Sequence, residues 1–205
     1  MTHILNTNAL KELIDQTAQA LDEHPTSSLI QTDLDRFHEL NQEAGREVGD
    51  RVLAAVMDAI SKTASDEGWT AARIGGDEFA LLAPGLPLEA AFLRGEQLRL
   101  ALDEAIAAEL PDGARCTASV GVVNAPRDAK TADDLLRKGQ LALHSAKEQG
   151  GGRAGLSPGD EMVLKSSYYG VAQLARLKTL AERAGKKESV LLREALDDLL
   201  RKYAS

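Results

Sequence analysis

From the N-terminus, apolar positions first recur at helical spacing. Residues 8 to 23, NALKELIDQTAQALDE, put Leu10, Leu13, Ile14 and Leu21 close to one face, which predicts an amphipathic helix. SLIQTDLDRF, residues 28 to 37, reads as a strand running into an acidic end at Asp33 and Asp35. NQEAGREVGDRVLAAVMDAISKTA turns at Gly45 and Gly49 and then keeps Val52, Leu53, Val56 and Ile60 on one helical face. TAARIGGDEFALLAP predicts two short strands joined at Gly75-Gly76, because a two-residue Gly-Gly connection is a strong hairpin signal. A helix follows at about 88 to 109. RCTASVGVVNAP then alternates Cys116, Ala118, Val120 and Val122 as a strand, and TADDLLRKGQLALHSAKEQ opens with a Thr131 to Asp134 capping pattern and runs on as a helix.

The order helix, strand, helix, hairpin, helix, strand, helix predicts an α/β (α+β) sandwich with helices covering a mixed or antiparallel sheet. The pattern changes after EQGGGRAGLSPGD, residues 148 to 160, whose Gly-rich composition suits a flexible linker. A short run from Met162 to Tyr168 precedes two amphipathic helices separated by AGKKES. Leu174, Leu177, Leu180 and Ala181 form one stripe; Leu191, Leu192, Ala195, Leu196, Leu199 and Leu200 form another. Gly185 suits the first helix's C-terminal cap and Ser189 the second's N-cap. So short a segment can hardly bury both stripes alone, so oligomerisation is expected.

Charge sharpens the division. The net charge is −8, but residues 1 to 160 carry 15 Lys or Arg against 26 Asp or Glu, and residues 161 to 205 carry 9 against 6. The expected organisation is an acidic domain at 1–153, a linker at 154–160 and a small basic domain at 161–205. With 43% hydrophobic and 3% aromatic residues the core is aliphatic. Uncharged stretches fall well short of the ~20 residues of a membrane span. No basic region precedes an apolar one at the N-terminus, and Cys116 is the only cysteine, so a soluble, reducing, cytoplasmic setting is expected.

The chemistry centres on RIGGDEF, residues 73 to 79. In the predicted sandwich Asp33, at the end of the first strand, lies beside Asp77 and Glu78 at the hairpin tip. Carboxylates converging without a basic partner repel one another unless a cation sits among them. Mg²⁺ or Mn²⁺ would suit such oxygen donors, and Gly75 and Gly76 would let the backbone approach a phosphate closely. From these residues alone a solvated hairpin tip is an equal alternative. None of the four histidines has the spacing of a metal cluster, and the Ser and Cys residues form no evident nucleophile and base pair.

DLDRFHELN at 33–41, AGREVGD at 44–50, RIGGDEF at 73–79, TASVGV at 117–122 and LALHSAKEQGGGR at 141–153 together resemble the GGDEF family of diguanylate cyclases over roughly residues 8 to 153. The resemblance implies a fold like the nucleotide cyclase and polymerase palm. It also implies condensation of two GTP into cyclic di-GMP with release of pyrophosphate. By position, Asp33 and Asp77 would be side-chain ligands of Mg²⁺, assisted by the Leu34 carbonyl. Asp77 would help deprotonate the 3′-hydroxyl, with Glu78 supporting the site beside it. Asn41 and Asp50 match the pair that reads the guanine edge: a carboxylate accepts from N1 and N2 donors that adenine lacks. Asp50 could instead be a helix N-cap.

Several positions depart from the family pattern. His38 stands where the family has a phosphate-contacting Lys, and Arg46, in place of a His, is expected to restore that charge on the triphosphate. Lys147 matches the late phosphate-binding Lys, but the Arg expected four residues on is Gly151; the closing Ala-Asp pair is Gly139-Gln140, and its Tyr is His144. The family's N-terminal Asp-x-Leu-Thr is missing. Product-inhibited members carry Arg-x-x-Asp where this chain has Asp66-Glu67-Gly68-Trp69, so no feedback through that site is expected; Trp69 reads as a core or edge residue.

Residues 162 to 205 resemble the ribbon-helix-helix family of dimeric DNA-binding proteins. That implies a homodimer on double-stranded DNA, with Lys165 and Ser167 facing bases and Lys186, Lys187 and Ser189 near phosphate. A dimerisation device that never touches DNA is the alternative. The fusion implies that dimerisation brings two GTP-loaded sites together and that DNA binding is coupled to catalysis. Two other outcomes remain: an altered domain that senses GTP or cyclic di-GMP in a transcriptional regulator, or a synthase of another cyclic dinucleotide.

Overall fold

The computed structural model describes residues 4–19, 26–157 and 169–184, together with Glu188, Leu191, Leu192, Ala195 and Lys202. The chain divides into two compact units, Met1–Glu161 and Met162–Ser205. In the first, the elements run β1 (Leu5–Asn6), α1 (Thr7–Gln19), β2 (Ser27–Asp35), α2 (Phe37–Glu43), α3 (Arg46–Glu67), β3 (Thr70–Arg73), β4 (Glu78–Pro84), α4 (Leu88–Glu109), β5 (Thr117–Ala125), α5 (Ala132–Glu148) and β6 (Ala154–Leu156). They build one six-stranded sheet in the order β1-β3-β4-β2-β5-β6. Strand β2 is antiparallel to β4 and β5, whereas β1 on β3 and β6 on β5 are parallel, so of the two expected arrangements, mixed or antiparallel, the sheet is mixed.

The alternation of side chains along a strand supplies two cores. Ile30, Leu34, Phe79, Leu81, Val120 and Val122 bury one sheet face against α3 and α4. Leu29, Ala80, Leu82 and Val123 bury the other with residues of α1 and α5. Trp69 belongs to the first core, at 9% exposure. Thr131 caps α5 as the sequence suggests, its hydroxyl accepting from Asp134 N at 3.2 Å.

Four local expectations are corrected. The strand read to Phe37 stops at Asp35, and Arg36, at φ 61, turns the chain into a separate helix, α2. Gly49 makes no turn: α3 begins at Arg46 behind Gly45 (φ 89), and Gly49 is buried inside it, where a Cβ would fall on Asn41 Oδ1. The hairpin connection is residues 74–77 rather than two glycines, and both Ile74 N and Gly75 N donate to Glu78 O, at 2.9 and 3.2 Å. Ala154–Leu156, read as the start of a linker, is strand β6, paired with Val120, Gly121 and Val122.

In the second unit α6 spans Val171–Ala184, within the first predicted helix. Val171, Leu174 and Leu180 on it are exposed. Lys165, Ser167, Lys186, Lys187 and Ser189, read as DNA contacts, lie outside the described residues. Among the described residues no helix is long and apolar enough to cross a membrane.

Helix α5 lies on β5 with no room for a side chain at the crossing: a Cβ at Gly121 would sit 2.5 Å from Gly139 O and 2.6 Å from Leu143 N. Both atoms are backbone, so neither can rotate away. Gly121→Ala is expected to destabilise the first unit by about 1–3 kcal/mol, read as a lowered urea midpoint at unchanged slope.

Candidate active site

The antiparallel register of β2 and β4 pairs Asp33 with Glu78, which brings the acidic end of β2 against the start of the hairpin strand. Helices α2 and α3 supply the facing wall. Between them lies a cleft of about 530 Å³ whose lining includes His38, Asn41, Arg46, Asp50, Gly76 and Asp77. Asn41 is held there by its amide, which donates to Phe37 O at 3.0 Å. Asp50 lies inside α3, whose N-cap is Gly45, so the capping alternative for Asp50 is excluded. His38 shares a 3.0 Å hydrogen bond between its Nε2 and Gln42 Nε2, one turn along α2.

The other expected residues sit behind this cleft. Asp33 does have a basic partner, contrary to expectation: Lys147 Nζ, from the last turn of α5, donates to its Oδ1. Lys147, expected at phosphate, is thus engaged by a carboxylate. Burial pushes the Asp33 carboxyl up from its ordinary 3.8 to about 6; Lys147 opposes this, while the charges of Asp77 and Glu78 add to it. Glu78 Oε2 accepts from Gln140 Nε2 at 3.3 Å. The same oxygen lies 3.2 Å from where a Gly75 Cβ would be, so a side chain there would crowd the Glu78 carboxylate. The Leu34 side chain is buried in the core, leaving only its backbone available. Cys116 is buried and pushed up to about 12, chiefly by that burial and further by surrounding carboxylates, so it is a thiol and not a nucleophile.

Three residues escaped the sequence reading. Arg73 holds the hairpin turn, its Nε donating to Gly75 O at 3.1 Å and Gly76 O at 3.2 Å while its guanidinium lies 5.7 Å from the centre of the Phe79 ring. A turn with two carbonyls lacking strand partners needs such a donor, and the Arg two residues before Gly75 was the available signal. Asp35 accepts from Thr117 Oγ1 at 2.8 Å, Ser119 Oγ at 2.8 Å and Gly152 N at 2.9 Å, so it locks the chain after α5 onto the sheet. It also accounts for a departure from the family pattern: Gly151 is at φ +70, and a Cβ there would lie 3.0 Å from Asp35 Oδ2. Gln140 was noted only as a departure, and its contact with Glu78 depends on a register between α5 and β4 that no local pattern reveals.

Among the described residues no three His, Cys, Asp or Glu side chains are grouped to cage a metal ion. Mg²⁺ does not require such a cage, since it takes one or two carboxylates and completes its shell with water and phosphate oxygens. Asp33 and Asp77 are an all-oxygen donor set of that size, and the Asp33 carboxylate, desolvated near two other acids, is one whose charge a cation would stabilise. The residues therefore fit a hard divalent ion.

The model of the family "Diguanylate cyclase, GGDEF domain" matches residues 1–153, and that of the "Ribbon-helix-helix domain" matches residues 167–204. Diguanylate cyclase DgcM of Escherichia coli is 34% identical over 126 residues, which cover 62% of this chain and 30% of the relative. Cyclic di-GMP phosphodiesterase NbdA of Pseudomonas aeruginosa is 36% identical over 120 residues, covering 58% of this chain and 15% of the relative. The chain thus spans less than a third of these relatives. The crystal structure of the GGDEF domain of YfiN (TpbB) from Pseudomonas aeruginosa superposes with a TM-score of 0.64 at 27% identity, covering 78% of this chain and all of that one.

Because folding raises the Asp33 pKa, the folded chain binds more protons than the unfolded chain between about pH 4 and pH 6, and this group's contribution to stability falls as pH rises through that window. Without divalent metal, the stability of the wild type relative to Asp33→Asn is expected to fall by up to roughly 3 kcal/mol from pH 4 to above pH 6. Denaturant titrations of both proteins across that range, in chelator, measure the difference; parallel curves would remove the assigned burial effect.

Proposed function

The chain belongs to the GGDEF diguanylate cyclase family, and from that premise we propose that it condenses two GTP into cyclic di-GMP and pyrophosphate with Mg²⁺ as cofactor. The observation that carries this reading is the single cleft lined by Asn41, Arg46, Asp50 and Asp77, with Asp33 and Glu78 paired across adjacent strands beside it. Asp50 accepts from guanine N1 and N2, and Asn41 contributes to the same edge. Arg46 offsets triphosphate charge on the wall where His38 replaces the usual Lys, and Gly76 leaves the turn backbone open to phosphate. Asp33, Asp77 and the Leu34 carbonyl would hold Mg²⁺, which when bound supplies charge neutralisation at the phosphates and orients the reacting groups. Asp77 helps take the proton of the attacking 3′-hydroxyl, and Glu78, held by Gln140, supports the carboxylate arrangement.

The ribbon-helix-helix match supports double-stranded DNA as a partner of the second unit and a homodimer as the working form. The exposed Val171, Leu174 and Leu180 are consistent with a second copy completing that unit. Such a dimer would bring two loaded cyclase sites together, with DNA binding coupled to their encounter. The second reading, a domain that binds guanine nucleotide without turnover, is favoured by the altered phosphate contacts, Gly151 and Lys147 above all. Synthesis of a different cyclic dinucleotide is disfavoured by Asp50 in the cleft.

Incubation of the chain with GTP, ATP or both and Mg²⁺, followed by mass spectrometry, is expected to give cyclic di-GMP from GTP and no product from ATP alone. Asp77→Ala is expected to lower turnover by about 10²–10³-fold or more. Tight GTP binding without product in the wild type would establish the second reading. His38→Lys, which restores a phosphate contact, should raise kcat/KM by several-fold, and Arg46→Ala should lower it. Asp66 is paired with Lys62 and Glu67 with Arg94 (3.2 Å), so the cations at this place are already engaged by carboxylates and do not offer themselves to an anionic product. Initial rates are therefore expected to show no inhibition by cyclic di-GMP through that site.

A further inference from the structure

Lys147 has two claims on one ammonium group. Its family match assigns it to the triphosphate, yet its Nζ contacts Asp33 Oδ1 in a largely enclosed pair, with 34% of the Lys147 side chain and 14% of that of Asp33 exposed. The oxygen it engages belongs to the carboxylate that the proposed cation would use. Two cations at one carboxylate repel strongly where solvent is largely excluded, so a metal ion bound at Asp33 weakens the hold of Lys147 there, and the reverse. A second late cation could divide the work, but this chain has none in that place. Gly151 stands there, constrained by its positive φ and by Asp35, and the Arg153 guanidinium, two residues on, donates instead to Gln149 Oε1 at 3.1 Å.

We propose that Lys147 is the resident counter-ion of Asp33 and exchanges with the divalent cation. In the nucleotide-free protein the ammonium holds the carboxylate, and metal binds weakly. A bound triphosphate draws Lys147 to its phosphates, the cation takes its place at Asp33, and nucleotide and metal therefore load together. Thermodynamic reciprocity requires each to tighten the other by the same factor. The consequence is regulation of the cyclase site by its own helix α5: free metal alone does not charge the site, and nucleotide alone does not complete it. This inference rests on the metal assignment to Asp33 made above.

The test is Mn²⁺ binding to the full chain, followed by electron paramagnetic resonance with and without a non-hydrolysable GTP analogue. Without nucleotide, Lys147→Met is expected to bind Mn²⁺ about five- to a hundredfold more tightly than the wild type, and Lys147→Arg to stay weak. The analogue should tighten Mn²⁺ binding in the wild type and have far less effect in Lys147→Met. Arg46→Met removes a positive charge from the adjoining cleft without touching Asp33, and is expected to change Mn²⁺ affinity less and to keep the coupling. Equal or weaker affinity in Lys147→Met, an increase no larger than that of Arg46→Met, or undiminished coupling would each overturn the exchange. Absence of Mn²⁺ binding in every variant, with the analogue still bound, would instead overturn the metal assignment and the exchange with it. Should Lys147→Met fail to fold, the wild type decides: independent binding of Mn²⁺ and the analogue rules the exchange out.

Discussion

Strand β2 lies between two antiparallel neighbours with helices on both faces, and a strand so enclosed can carry charge only at an end. Leu29 and Ile30 serve opposite cores, and the carboxylates begin at Asp33, where α5 gives out. Everything else about the cleft is referred to that point. The register with β4 brings Glu78 alongside, the register with β5 puts Ser119 and Thr117 within reach of Asp35, and the left-handed step at Arg36 swings α2 round as the opposite wall.

Helix α5 closes the back of the same region, and it does so by contact of backbones. Gly121, Gly139 and Gly155 are each placed where a methyl group would meet the helix or strand across from it. Gly139 also makes room for Gln31, whose buried amide has no hydrogen-bond partner in the described structure. Where backbone meets backbone, as at Gly121 and Gly155, close packing transmits small displacements well, because little side chain lies between the elements to absorb them.

The sequence made the architecture legible because periodicity reports burial: the order of the main helices and strands and the cap at Thr131 follow from local pattern, whereas both parallel pairings that make the sheet mixed come from β1 and β6. The two shortest strands were invisible to it, since β1 and β6 have two and three residues and exist only by virtue of their neighbours. Gly49 was misread for a related reason. A glycine that permits a turn and one that permits close approach look alike until the partner, here Asn41, is known. Of the candidate site, His38, Asn41, Arg46, Asp50 and Asp77, read from recognisable blocks, share a cleft. What stayed hidden were pairings between distant segments: Lys147 with Asp33, Gln140 with Glu78, and Asp35 with Gly152, each more than sixty residues apart.

That last pairing has a mechanical side. Three consecutive glycines, Gly150 to Gly152, follow α5 at positive φ, and the chain then enters β6 at the sheet edge. A load applied to the chain beyond Leu156 is borne first by three residues of parallel pairing and by the bond from Ala154 N to Glu96 Oε1. Behind it stands the knot at Asp35, two residues from Asp33. The domain therefore has a weak outer seam and a firm inner anchor in series, and tension that parts the seam and lifts Ala154 from the edge of the first core arrives next at the acidic end of β2.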